Sequence, residues 1–155
     1  MKFEHLVEIN DFLNPLVETL TRETLWKGLL HSAEDPAEFL AAIDEVKILE
    51  RRSDGIDREL HFGSTVIRDH VRIKPLQEIE IRTDATPTIP AARKLMRIEE
   101  PAPGELFVRF LYERYPQGHE PMTPEEAQAL KNAWLQADRD LIAHIRLLAC
   151  EPPLH

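Results

Sequence analysis

A chain of 155 residues with 43% hydrophobic and 30% charged residues has the length of one domain, and at that size roughly two thirds of the unfolded surface can be buried. No run approaches the ~20 apolar residues of a membrane span, and a net charge of −9 argues against nucleic acid as the main partner, because phosphate binding draws on concentrated Lys and Arg. Cys150 is the only cysteine, which excludes an internal disulfide framework; the acidic start MKFEHLVEIN also lacks a secretory pattern, so the expected setting is cytoplasmic.

From Lys2 to Ile9, Phe3, Val7 and Ile9 alternate with Lys2, Glu4 and Glu8, the period of a half-buried strand, with Leu6 breaking the pattern. His5 points the same way as Phe3 and Val7. Thr21 is set to cap a helix running to about Ser32, with Leu20 and Leu25 placed as a hydrophobic staple. Asp35, Pro36 and Glu38 predict a second helix over Phe39, Leu40 and Ile43, begun by a capping box.

After Asp44 the pattern becomes that of strands, at 45–52, 56–62, 65–75, 78–86, 92–100 and 105–114. Asp54-Gly55 and Gly63-Ser64 read as hairpin turns, and Pro101-Ala102-Pro103-Gly104 closes a longer one. Thr86 to Pro90 reads as an exposed rim loop. Thr123-Pro124-Glu125-Glu126 is the strongest helix start in the chain. It leads into an apolar stripe of Ala127, Leu130, Trp134, Ala137, Leu141, Ile145 and Leu148, expected to end near Leu148. Such a helix is roughly 35 Å long, enough to cross a small sheet. The expected fold is α+β: one domain over 1–155, with a curved seven-stranded antiparallel sheet around a long C-terminal helix and two short helices between strands 1 and 2.

The Gly63-Ser64 turn fixes a register, because a two-residue loop with glycine first makes Phe62 face Thr65. Leu60 then faces Ile67, Arg58 faces Asp69 and Ile56 faces Val71, all on the inner, apolar face. The same face continues through Ile79, Ile81 and Thr83, then Lys94, Met96 and Ile98, then Val108, Phe110 and Tyr112. Trial pairings put Thr83 or Ala85 beside Asp69 with Lys94 and Tyr112 near the same level, these later registers being free to slip by two residues; in the unslipped register a polar row crosses the sheet, extended by His5. In one reading Arg58, Asp69, Thr83, Lys94 and Tyr112 orient the polar end of a ligand while Met96, Phe110 and Trp134 line its apolar body. In the other, Arg58 and Asp69 are a structural ion pair, and Met96, Phe110 and Trp134 are core residues. His61 and His70 point outward by alternation, His144 falls at the edge of the helix stripe, and Cys150 lies beyond the helix with no partner.

The seven histidines show no metal-ligand spacing, and no glycine-rich phosphate loop, His-Glu-x-x-His, Cys-x-x-Cys or Gly-x-Ser-x-Gly is present. No metal or cofactor is expected. The element order resembles the START-like (SRPBCC) superfamily along the whole chain. MKFEHLVEIND with NPL at Asn14–Leu16, RELHFG at Arg58–Gly63, VIRDHV at Val66–Val71 and RIEEPAPGELFVRFLYE at Arg97–Glu113 are similar to the AtaL-like family. That resemblance implies a helix-grip fold and a cavity between sheet and helix that binds or carries a small hydrophobic metabolite. The alternative it leaves open is a polyketide cyclase- or dehydratase-like enzyme using the same cavity. It brings no established catalytic residues, ligand identity or oligomeric state.

Overall fold

Two strands joined by Gly63-Ser64 set the frame of the sheet. Gly63 holds φ at 59°, a conformation that costs glycine little, and the flanking strands pair in the register this turn dictates. Phe62 faces Thr65, Leu60 faces Ile67, Arg58 faces Asp69 and Ile56 faces Val71.

The computed structural model describes residues 1–150. In chain order the elements are β1 (Lys2–Glu8), α1 (Arg22–Glu34), α2 (Pro36–Phe39), β2 (Glu45–Arg52), β3 (Gly55–Phe62), β4 (Thr65–Lys74), β5 (Glu78–Thr83), β6 (Ala91–Glu99), β7 (Phe107–Tyr115) and α3 (Pro124–Cys150). The strands form one seven-stranded antiparallel sheet in the order β1-β7-β6-β5-β4-β3-β2, with α3 against its inner face. Short connections make neighbours of β2 to β7. The chain then places β1 on the far side of β7, as the expected fold requires.

Thr21 caps α1 by accepting from the Thr24 N–H at 3.1 Å, and Leu20 and Leu25 are both buried at that entry. The helix runs to Glu34, past the expected end near Ser32. As a result the expected second helix shrinks to the single turn α2. The backbone N–H of Asp35 bonds back to the His31 carbonyl, so this residue closes α1, and its side chain makes no capping bond. Glu38 is not a capping-box partner either, because its carboxylate lies 2.6 Å from His31 Nε2.

α3 starts as expected, with the Glu126 N–H donating to Thr123 Oγ1 at 3.1 Å, and spans 27 residues, about 40 Å. It is still helical at Cys150, the last described residue, past the expected end near Leu148, and the exposed Cys150 thiol lies 2.8 Å from Glu18 Oε2. That carboxylate pushes the thiol pKa up, which disfavours the reactive thiolate. The fully buried face of α3 is Asp138, Ile142 and Ile145. Leu130, Trp134 and Leu141, expected to be buried with Ile145, are half-buried because they border a cavity.

α1 lies against α3 where a side chain is missing. A Cβ added at Gly28 would collide with Ile145 Cγ2, so the helices approach closely only because Gly28 has none. Packing of Leu25, Leu29 and Ile145 depends on that approach. Gly28→Val should therefore destabilise the protein by about 2 kcal/mol or more in denaturant titration, since overpacking outweighs the weak helix preference of glycine. Equal or greater stability would contradict this packing.

Candidate functional site

Two groups of polar side chains break the apolar inner face of the sheet. The first follows from the β3–β4 register. Arg58 and Asp69 are 3% and 2% exposed and form a forked pair, with Arg58 Nε 2.8 Å from Asp69 Oδ1 and Nη2 2.7 Å from Oδ2. Arg58 Nη1 also donates to the carbonyl of Ala33 at 2.8 Å, tying the last turn of α1 to the sheet. Planar, bidentate geometry with both charges matched is what lets such a pair persist in a core.

The second group centres on Asp138 of α3, which is 1% exposed. Tyr112 O–H on β7 donates to Oδ1 at 2.6 Å and lies 2.8 Å from Oδ2; His5 Nε2 on β1 is 2.7 Å from Oδ2. Lys94 Nζ on β6 stands 3.5 Å from Oδ1, beyond a close hydrogen bond but within ion-pair range. Burial and the Asp138 charge push the Tyr112 phenol well above its ordinary pKa, so it stays protonated. Aromatic rings surround the group. Trp134 stacks on Tyr112 with centroids 4.3 Å apart, His5 stacks on Phe110 at 5.3 Å, and the Lys94 ammonium lies over the Phe110 and Tyr112 rings at 5.7 and 5.3 Å.

Between the sheet and the N-terminal half of α3 lies a cavity of about 470 Å³. Leu60, Ile81, Met96, Leu130, Trp134 and Leu141 supply much of its apolar wall, Phe39 and Leu40 border it from α2 and the residue after it, and Ile89 and Pro90 border it from the rim loop. Of the residues singled out in the sequence, Arg58, Thr83, Lys94, Met96, Tyr112 and Trp134 stand on this wall. Asp69 sits behind Arg58, and Phe110 is fully buried beneath Lys94.

Those residues do not form one polar row. Asp69 pairs with Thr83 and Thr83 with Ala92, whereas Ile81 pairs with Lys94 and Lys94 with Tyr112. The Lys94–Tyr112 pair is thus displaced by two residues along the strands, and the polar groups separate into two clusters. His5 pairs with Phe110, one further step along, and meets Tyr112 only through Asp138. Asp138 itself escapes the sequence reading, which runs the stripe from Ala137 to Leu141. The available signal was its position four residues after Trp134 and four before Ile142, in the middle of the buried face.

Among the described residues, His31, Asp35 and Glu38 bring possible metal-ligand atoms within 4.8 Å of one another. They are largely exposed, and His31 Nε2 already lies 2.6 Å from Glu38 Oε2. No described helix is long and apolar enough to cross a membrane.

The antiparallel sheet gripping α3 defines a helix-grip protein of the START-like class. Within that class the chain belongs to the AtaL family: the family model described as acetylaranotin biosynthesis cluster protein L matches residues 7–151. No curated protein sequence matches it. Among solved structures, the di-domain ARO/CYC BexL from the BE-7585A biosynthetic pathway is 14% identical with a TM-score of 0.69, the match covering 99% of this chain and 51% of that one. The chain therefore spans about half the length of BexL. The Zhui aromatase/cyclase from Streptomyces sp. R1128 is 17% identical with a TM-score of 0.62, covering 94% of this chain and 93% of that one. A START superfamily protein from Mycobacterium smegmatis is 12% identical with a TM-score of 0.64, covering 95% and 98%. At these identities the likeness is one of fold.

Two expectations follow from the clusters. Asp69→Asn breaks a buried pair on one side and should lower stability by about 3 kcal/mol in urea titration; a change below about 1 kcal/mol would contradict the pair's structural role. For Tyr112 the folded phenol pKa lies above the unfolded value of about 10. Its contribution is complete below that value and is lost as pH rises beyond it, because only the unfolded state then releases the proton. Unfolding free energy should fall between about pH 9.5 and about pH 11.5 with a component of up to ~1.4 kcal/mol per pH unit, and Tyr112→Phe should remove that component. An unchanged alkaline slope in the variant would contradict the assignment.

Proposed function

We propose that the protein binds one small, mostly apolar molecule in the cavity between the sheet and α3, with Arg58, Thr83, Lys94 and Tyr112 facing its polar part. The observation that carries this reading is the cavity itself. Its volume of about 470 Å³ falls within the roughly 300–1,000 Å³ of small-molecule sites, and its wall is apolar apart from a few convergent polar groups. Met96 and Trp134 form part of the apolar wall, while Asp69 and Phe110 support Arg58 and Lys94 from behind.

A second reading, a cyclase- or dehydratase-type enzyme, is supported by the proximity of Tyr112, Lys94 and Asp138 at one end of the cavity. Lys94 there would stabilise negative charge developing on a carbonyl oxygen. Two of the proteins of like fold carry aromatase/cyclase in their descriptions. The two readings separate on turnover: a binder returns its ligand unchanged, and the enzyme returns a dehydrated or cyclised product.

Ala92 faces the cavity from β6 and is half-buried, so a larger side chain there would occupy ligand space without disturbing the filled core. Naphthalene binding, followed through the fluorescence of Trp134 stacked on Tyr112, should weaken at least about tenfold in Ala92→Phe, while the thermal midpoint moves by no more than a few degrees. Unaltered binding in a folded variant would place the ligand elsewhere.

A further inference from the structure

The charges around the cavity select one kind of ligand from the wide class that its shape admits. The molecule carries a net charge of −9, yet the cavity wall reverses that sign: Arg58, Arg93, Lys94 and Arg114 stand against Glu113 and Asp138. Most of these charges are already committed. Arg58 is matched by Asp69, and Arg93 by Glu80 at 2.7 Å and Glu113 at 3.3 Å. Asp138 has both oxygens engaged by Tyr112 and His5.

Lys94 is different. Its side chain is 29% exposed, and its one ion pair among the described residues is the 3.5 Å contact with Asp138. An ammonium carries three donor hydrogens and no acceptor, so one loose contact leaves at least two hydrogens to be satisfied by water or ligand. The Phe110 and Tyr112 ring faces hold the charge at the wall instead of letting the long stem carry it outward. A hydrocarbon filling the cavity would strip water from those hydrogens and return nothing. An amine would set a second cation beside the first. An acidic oxygen satisfies both the hydrogens and the charge.

We propose that the cavity selects apolar molecules bearing an acidic oxygen, a carboxylate or a phenol, which accepts a hydrogen bond from Lys94. The proposal rests on the binding role of this cavity and adds the chemical class of the ligand.

The test is calorimetric titration of the full chain with 2-naphthoate, 2-naphthol, naphthalene and 2-naphthylmethylamine, which share one ring system. In the wild type, 2-naphthoate or 2-naphthol should bind about tenfold to a hundredfold more tightly than naphthalene, and the amine more weakly than naphthalene; which of the two oxygen ligands leads separates carboxylate from phenol. Lys94→Met should reduce the preference to within about threefold, read as the ratio of the oxygen ligand's affinity to that of naphthalene in the same variant, and Lys94→Arg should keep it. Denaturant titration checks that each variant is folded, and Lys94→Gln replaces Lys94→Met if the latter is not. Equal affinity for the oxygen ligands and naphthalene in the wild type overturns the proposal while leaving the binding role intact, as does a preference that survives in a folded Lys94→Met or Lys94→Gln variant. Failure of all four compounds to bind overturns the binding role as well.

Discussion

The carboxylate of Asp138 is the constraint on which the rest of the interior depends. A buried, ionised carboxylate without donors would cost several kcal/mol, so the long helix is stable against the sheet only where donors converge on it. They come from three strands that are neighbours in space but distant in sequence: His5 on β1, Tyr112 on β7 and Lys94 on β6. Apolar packing along α3 is tolerant of small slides and rotations. The hydrogen bonds to Asp138 are not, and they set the helix's depth and rotation over the sheet.

Holding the helix at that point divides the interior. On one side, Leu25, Leu29, Ile79, Val108, Ile142 and Ile145 fill the space completely, with α1 pressed in through Gly28. On the other side the facing residues include Ala92, Thr83 and Ala137, too small to reach across, and the cavity remains. Arg58 fixes the opposite border by tying the end of α1 to β3 and β4. The two polar clusters, one on the helix side and one on the sheet side, thus keep the walls apart where apolar collapse would otherwise draw them together.

Much of this was legible in the sequence because it is local. A glycine-first two-residue turn fixes its hairpin, and from that turn alone the Arg58–Asp69 pair follows correctly; on the next strand, where Thr83 and Ala85 were both candidates, Thr83 is the partner of Asp69. The longer connections leave freedom of two residues, and Lys94 and Tyr112 use it, so one expected polar row becomes two clusters. α2 shortens because Asp35 serves to end α1, a competition that cap propensities alone do not resolve. Asp138 fell outside the apolar stripe read from the sequence, and its donors lie on strands brought together only by the complete sheet. Sequence spacing marks a buried charge as an anomaly; tertiary structure supplies its partners.

The division of the interior into a filled half and a ligand-holding half is tested most directly by methyl NMR of the protein titrated with naphthalene. The account predicts shifts concentrated at Leu60, Ile81, Ile89, Leu130 and Leu141, with Ile79, Val108, Ile142 and Ile145 little changed. Shifts centred on the second set, or spread over exposed methyls such as Leu13 and Leu16, would contradict it.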